Sequence, residues 1–181
     1  MKNVSTYIRS IYCPGSAGMM MWLFNTNLTL GFIPWVEKGY AGFNQYDKRK
    51  FLSTTIDYGK ASGLYQIAMK IIQEKLDGQI QHEIPCNKAN LLFEYKPGDN
   101  GKMQSYLTID KNGERITLEF CTDFCYVKEN GKMVVKTIHT GLGVFAMTLE
   151  GYLKGVGASR HLNKLTEEEL GDPQLELPAW A

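Results

Sequence analysis

Residues 48–76 read KRKFLSTTIDYGKASGLYQIAMKIIQEKL and contain the change of periodicity from which the fold can be predicted. Residues 48–56 are rich in aromatic and β-branched side chains, which is typical of a short β-strand. From Leu64 onward, apolar side chains recur every three or four positions, as in an amphipathic helix. Asp57 stands where its side chain would cap the first free amides of that helix. The stretch therefore predicts a strand followed at once by a helix over residues 57–76.

Three further strands are predicted before this helix, over residues 6–12, 18–24 and 28–35. In the third of them, apolar side chains alternate from Leu28 to Phe32, so one face of the strand would be buried. The connections between the strands contain Pro, Gly or Asn, and turns of this composition favour antiparallel hairpins. The four strands would form a sheet that covers the apolar stripe of the helix.

A second β-rich block follows the helix, and a second apolar stripe at helical spacing follows that block over residues 141–160. Asn112-Gly113 and Asn130-Gly131 indicate two-residue hairpins, because both central residues of a type I′ turn need positive φ. The predicted class is α+β, with two antiparallel β-sheets of about four strands, each followed by a helix (ββββα-ββββα). The second block is predicted to contain strands over residues 89–96, 103–110 and 115–122, followed by a hairpin around residues 133–138.

Charge is distributed unevenly along the chain, although the formal net charge is only +1. Residues 166–181 carry −5, which leaves +6 on residues 1–165. We therefore predict one nucleic-acid-binding domain over residues 1–165 and a flexible acidic tail over residues 166–181. The tail either competes for a basic surface and recruits partner proteins or only keeps the protein in solution. Its partner-binding candidates are Glu167, Glu168, Glu169, Asp172, Glu176 and Trp180.

Cysteine usage and the N-terminal sequence favour an intracellular protein. The cysteines have neither the paired spacing of a zinc site nor the density of a disulfide scaffold, so free thiols in a reducing compartment are expected, with no metal. Lys2, Arg9 and Pro14 precede the first apolar run, which is too short for a signal peptide. We expect a cytoplasmic location. The cysteines concerned are Cys13, Cys86, Cys121 and Cys125.

Catalytic motifs are missing from the sequence. His82, His139 and His161 occur singly, outside any metalloprotease pattern. Gly141-Leu142-Gly143 lacks the later glycine of a dinucleotide fingerprint and the Lys-Ser/Thr of a P-loop. There is no nucleophile elbow around a serine. A non-catalytic protein without a cofactor is therefore expected.

Aromatic and basic side chains are concentrated in two parts of the chain. Binding of single strands without sequence preference needs cations near phosphates and flat rings on which bases stack, each stacked base contributing roughly 1–3 kcal/mol. The alternative is that the rings fill the core and the lysines solvate sheet edges. The first group of candidates is Trp35, Lys38, Tyr40, Phe43, Tyr46, Lys48, Arg49 and Lys50, and the second is Tyr95, Lys96, Lys102 and Tyr106.

Three stretches resemble the Whirly family of single-stranded DNA-binding proteins and, more distantly, the transcriptional-coactivator fold. Residues 28–35, LTLGFIPW, are similar to the family's third strand. Residues 46–56, YDKRKFLSTTI, resemble its Tyr-Asp and basic run before the first helix. Residues 95–109, YKPGDNGKMQSYLTI, resemble its Lys-Pro, glycine-rich hairpin. By contrast, residues 18–24, GMMMWLF, lack the Lys-Gly-Lys-Ala-Ala-Leu motif that members carry on the second strand.

The resemblance covers about residues 6–160 and implies a Whirly-like fold without catalysis. It implies binding of single-stranded DNA in replication, recombination or transcription, by a homo-oligomer. In the family that oligomer is a homotetramer, with helices at the centre and sheets as blades. Two other readings stay open: a structural or protein-interaction component, and an RNA-binding protein.

Overall fold

A four-stranded antiparallel sheet forms the N-terminal half of the fold. The computed structural model describes residues 5–13, 15–24, 26–36, 46–76 and 78–157 of the chain. Neighbouring strands of the sheet follow one another in the sequence, as expected for hairpin connections. They are β1 (Ser5–Tyr12), β2 (Gly18–Phe24), β3 (Asn27–Ile33) and β4 (Leu52–Ile56).

Strand β3 lies inside this sheet and is buried on both faces. Leu28, Leu30 and Phe32 alternate along it, belong to the core and are fully buried, as the sequence pattern predicts. Thr29 and Ile33 point the other way and are nearly as well covered. Other side chains must therefore lie on the outer face, which is the side of this sheet away from the helices.

Helix α1 (Tyr58–Ile72) begins and ends for reasons that can be traced to single residues. Its N-cap is Asp57, as predicted, because Oδ1 of Asp57 accepts a hydrogen bond from the amide of Lys60 at 2.9 Å. The helix ends four residues earlier than predicted. Glu74 adopts the left-handed conformation (φ 54°), and the amide of Lys75 donates to the carbonyl of Lys70, which is a Schellman-type end.

The second sheet also has four antiparallel strands in chain order, but its first strand was not predicted. That strand is β5 (Ile80–Cys86), in which Ile84 alone is buried and Pro85 interrupts the pattern. Both features are typical of an edge strand, which needs no alternation of apolar residues and tolerates proline. The other three confirm the predicted segments, and they are β6 (Ala89–Pro97), β7 (Met103–Lys111) and β8 (Glu114–Glu119).

The hairpin predicted around residues 133–138 does not belong to the second sheet. Among the described residues, its strands β9 (Asp123–Glu129) and β10 (Lys132–Ile138) pair with each other in a separate two-stranded sheet. The Asn-Gly pair at Asn130, like the one at Asn112, has positive φ at both residues, so both predicted hairpin turns are confirmed. The α+β class with two four-stranded antiparallel sheets is confirmed, with this hairpin added before the last helix.

Helix α2 (Thr140–Tyr152) packs against α1 and carries the predicted apolar stripe. Phe145 and Leu149 are fully buried in a core that both sheets and both helices share. After Tyr152 the helix continues as a short π-helical segment, Leu153–Gly157, which is interrupted at Gly155. None of the helices in the described ranges is long and apolar enough to cross a membrane.

The turn between β1 and β2 joins the first sheet to the second. The amide of Glu119, at the end of β8, donates to Oγ of Ser16 at 2.6 Å. Two residues later, the amide of Cys121 donates to Sγ of Cys13 at 3.0 Å. These bonds hold the turn beside β8, so that residues of both sheets line a common groove.

Candidate nucleic-acid interface

A stacked aromatic pair lies over the centre of the outer face. Met21 on β2 is fully buried in the core, so alternation directs its neighbour Trp22 to the outer face. The rings of Trp22 and Phe51 stack with centroids 5.8 Å apart and 28° between their planes. A Cβ atom at Gly31 would lie 2.4 Å from Phe51 and 2.7 Å from Trp22. The missing side chain at Gly31 thus makes room for the pair.

A second group of rings lies over Gly18, near the end of the same sheet. Tyr12 and Tyr46 are 5.1 Å apart between centroids, and Trp35 meets Tyr46 edge-on at 5.2 Å. A Cβ atom at Gly18 would lie 2.9 Å from the ring of Tyr12. The hydroxyl of Tyr46 donates to the carbonyl of Cys13 at 3.4 Å, and burial raises the pKa of this tyrosine. The structure therefore brings together the predicted site residues Trp35 and Tyr46.

These two groups of rings lie on the outer face of the first sheet, and part of their surface is open to solvent. Tyr7, which pairs across the sheet with Trp22, is 60% exposed, Tyr12 is 51% exposed and Phe51 is 38% exposed. Exposed apolar area of this kind usually marks a binding surface. We call this surface the aromatic layer, and its members are Tyr7, Tyr12, Trp22, Trp35, Tyr46 and Phe51.

A groove of about 410 Å³ continues the aromatic layer toward the second sheet. Pro34 and Trp35 line it from the first sheet, and Tyr106 and Arg115 line it from β7 and β8. The groove thus joins predicted candidates from both parts of the sequence. The guanidinium of Arg115 pairs with Asp110 at 3.1 Å and is therefore partly neutralised, but its side chain is 64% exposed at the rim of the groove.

Tyr106 stands among charged side chains of both signs. The ammonium of Lys96 lies 5.3 Å from the centre of its ring and also pairs with Glu94 at 2.8 Å. Burial and then the carboxylates of Glu119, Asp99 and Glu94 raise the pKa of this phenol. Lys96 is therefore partly neutralised, and this part of the second sheet offers less positive charge than the sequence suggests.

Tyr95 and Lys102 lie apart from the other predicted residues of the second group. Tyr95 shares a strand face with the core residue Phe93 and meets His139 edge-on at 6.3 Å. The ammonium of Lys102 lies 4.2 Å from the centre of the Phe124 ring on the hairpin. Both residues line a different cavity, of about 430 Å³. Alternation along β6 puts Tyr95 on the opposite face from Lys96. Lys102 precedes β7 and lies beside the hairpin.

The predicted basic run forms a short 3₁₀ turn, Lys48–Lys50, before β4. The carboxylate of Asp47 caps it, accepting from the amide of Arg49 at 3.1 Å and from its Nε at 3.3 Å. The backbone bond from Arg49 is the main cause of the lowered pKa of Asp47. The side chain of Arg49 is 93% exposed and Lys50 is exposed as well, so these cations can reach phosphates.

Several predicted site residues lie outside the described residues. They belong to the connection between Val36 and Tyr46 and to the acidic tail, so the roles assigned to them stay predictions. They are Lys38, Tyr40, Phe43, Glu167, Glu168, Glu169, Asp172, Glu176 and Trp180.

The sequence analysis missed Tyr7, Tyr12 and Trp22 as residues of the candidate site. Residues 18–24 read GMMMWLF and carry no polar residue, so the sequence contains no alternation that would mark Trp22 as facing outward. The packing of these rings over glycines could not be predicted from the sequence, because it depends on which residues become neighbours across strands. Two of the missed residues, Tyr7 and Tyr12, are the most exposed rings of the aromatic layer.

The cysteines are free thiols, and two of them meet in space. Cys13 is buried against the backbone of Cys121, and burial raises the pKa of its thiol to about 12. Such a thiol is a poor nucleophile because its thiolate is scarce at neutral pH. Within the described ranges, no group of three or more His, Cys, Asp or Glu side chains could hold a metal ion.

Comparison with known proteins gives similar solved structures but no sequence match. No protein-family model and no curated protein match the chain. MRP1/MRP2 of Trypanosoma brucei aligns over 88% of this chain and 98% of its own, with 12% identity and a TM-score of 0.43. The plant transcriptional regulator PBF-2, a Whirly-fold protein, aligns over 93% of this chain and 94% of its own, with 14% identity and a TM-score of 0.43. Membership of the Whirly family stays a prediction.

Proposed function

We propose that this protein binds single-stranded DNA and has no catalytic role. The observation that carries the proposal is the aromatic layer, which continues into the groove between Trp35 and Tyr106. Exposed rings on a sheet give successive bases flat surfaces on which to stack. Stacking tolerates any base, so the main mode of binding would depend little on sequence.

Exposed basic side chains around the aromatic layer can contact the phosphates of the DNA strand whose bases stack on it. Arg49 and Lys50 lie next to Phe51, and Arg115 lies at the rim of the groove. Each neutralised phosphate releases counterions, so affinity should fall as salt rises. The formal charge of +6 on residues 1–165 agrees with a polyanionic partner.

We also propose that the protein acts inside the cell. Free thiols suit a reducing intracellular compartment such as the cytoplasm. A homo-oligomer, either a dimer or a tetramer, would place several aromatic layers on one strand, which is useful in replication, recombination or transcription. The acidic tail would contact partner proteins.

The proposal is tested by removing the most exposed rings of the layer. We expect Tyr7→Ala combined with Tyr12→Ala to weaken binding of a labelled single-stranded oligonucleotide about tenfold or more, because a stacked base contributes roughly 1–3 kcal/mol. Fluorescence anisotropy measures the affinity. Tyr126→Ala is the matched control, since Tyr126 is 73% exposed but lies on the β9–β10 hairpin.

Equal affinity in the double variant and in the parent would refute a role of the aromatic layer in DNA binding. If the parent binds no oligonucleotide at any salt concentration, the layer is better explained as a protein-binding surface. Competition between deoxy and ribo oligomers of the same sequence separates a DNA-binding from an RNA-binding protein.

A further inference from the structure

A carboxylate lines the groove in which the two sheets meet. Glu119 ends β8, and its amide is fixed by the bond to Ser16. On its side chain, Oε1 accepts a hydrogen bond from Nε2 of Gln104 at 3.1 Å. Its other oxygen, Oε2, has no hydrogen-bond partner among the residues that the structure describes. The groove therefore contains a fixed carboxylate whose Oε2 can accept a hydrogen bond from a ligand.

A negative charge at this place is unfavourable for phosphates but favourable for some bases. Cytosine, adenine and guanine carry exocyclic amino groups that donate hydrogen bonds, whereas thymine presents only carbonyl oxygens and one ring N–H. A carboxylate pairs well with an amino donor and repels a carbonyl oxygen, and hydrogen bonds to a charged acceptor are stronger than neutral ones. Glu119 can therefore discriminate between bases.

We propose that Glu119 makes this groove a base subsite that prefers bases with an exocyclic amino group over thymine. The inference rests on the proposed binding of single-stranded DNA. Trp35 and Tyr106 provide the flat walls, Glu119 reads the base edge, and the guanidinium of Arg115 at the rim faces the adjoining phosphate. The cavity of about 410 Å³ is in the size range of small-ligand pockets.

The preference is measured with oligo(dC) and oligo(dT) of equal length, because a homopolymer places the same base in the groove in every register. We expect the parent protein to bind oligo(dC) about tenfold more tightly, the discrimination of one good contact to a base edge. Anisotropy titrations at one fixed salt concentration give the ratio of the two affinities.

Glu119→Gln tests the residue itself. Glutamine keeps the size of the side chain and the acceptor for Gln104, but its amide can donate to O4 of thymine. We expect the ratio to fall to about one or below, mainly because oligo(dT) binds more tightly. Glu94→Gln is the matched control. Glu94 is the cross-strand neighbour of Tyr106 on β6, as Glu119 is on β8, but it does not line the groove.

Removing the charge of Glu94 should raise both affinities together and leave their ratio unchanged. A ratio that stays the same in Glu119→Gln, equal affinities in the parent, or the same change of ratio in both variants would overturn the assignment of Glu119. Thermal melting of each variant shows that it is folded. If the parent binds neither oligomer, the proposed function itself fails, and the base subsite fails with it.

Discussion

At the scale of single residues, two glycines shape the surface that we propose to bind DNA. Gly31 and Gly18 lie on the outer face of the first sheet, and large rings occupy the space that their side chains would fill. Trp22 and Phe51 can approach the backbone of β3 closely because nothing projects from Gly31. Through this contact the rings cover the outer face of β3, which accounts for the burial of Thr29.

Replacing Gly31 with alanine should therefore destabilise the protein. The new Cβ atom would lie 2.4 Å from the ring of Phe51, so the pair must shift, and overpacking of this kind costs roughly 1–3 kcal/mol. Urea denaturation measures the loss. Gly63→Ala is the control, because a Cβ atom at that helical position meets nothing within 4 Å and should stabilise α1 by about 0.5–1 kcal/mol. Parent-like stability in Gly31→Ala would mean that the rings move freely.

At the scale of elements, the start of α1 can be predicted from the sequence better than its end. The N-terminus has a capping side chain in the expected position, and Lys60 also pairs with Asp57 through its ammonium at 2.6 Å. The C-terminus is closed by Glu74, a residue that rarely adopts positive φ. Lys136 bonds both Glu74 and Glu129, so the end of the helix is tied to the β9–β10 hairpin.

Asp57→Ala should lower the stability at neutral pH by about 1 kcal/mol, because the first amides of α1 lose their acceptor. Burial raises the pKa of Asp57, but the hydrogen bonds from Lys60 lower it by more, so the net shift is downward. The carboxylate therefore stabilises the folded state above its unfolded pKa of about 3.9 and loses this effect as the pH falls through the folded value. Thermal melts should show the difference narrowing in acid. Asp57→Asn, which can still cap the helix, should lose less, and an equal loss would assign the effect to charge alone.

At the scale of the whole molecule, apolar area is also exposed on the helical side, away from the aromatic layer. Met147 on α2 is 66% exposed and lines a largely apolar groove of about 380 Å³ with Ile8, Leu23 and Tyr152. A solvent-exposed methionine beside such a groove suits a contact between copies of the chain. An oligomer formed there would leave the outer faces of the sheets open to DNA.

We expect the purified protein to have a mass in solution above the 20.5 kDa of one chain, measured by size exclusion with light scattering. Met147→Glu should shift it toward the monomer, since a carboxylate buried in an apolar contact is unfavourable. Met133→Glu is the matched control, because Met133 is 65% exposed but lies on the hairpin. A monomeric parent would contradict the oligomer, and dissociation by Met133→Glu instead would move the contact to the hairpin.

Local patterns in the sequence determined the elements that depend on neighbours along the chain. Three features could be predicted from the sequence because each involves residues only a few positions apart: the alternation in β3, the cap at Asp57 and the apolar stripe of α2. The two Asn-Gly turns could be predicted for the same reason. The α+β class and its order of sheet, helix, sheet, helix followed from these elements. Strand β5 could not be predicted from the sequence, because an edge strand with one buried residue carries no apolar alternation.

The tertiary structure alone decided which candidate side chains share a surface. Trp35 and Tyr106 are far apart in sequence, and they line one groove because the β1–β2 turn is hydrogen-bonded to the end of β8. The strand register alone places Trp22 and Phe51 over Gly31. Side-chain direction follows from local backbone geometry, whereas proximity between strands depends on pairings that the folded chain makes over long separations.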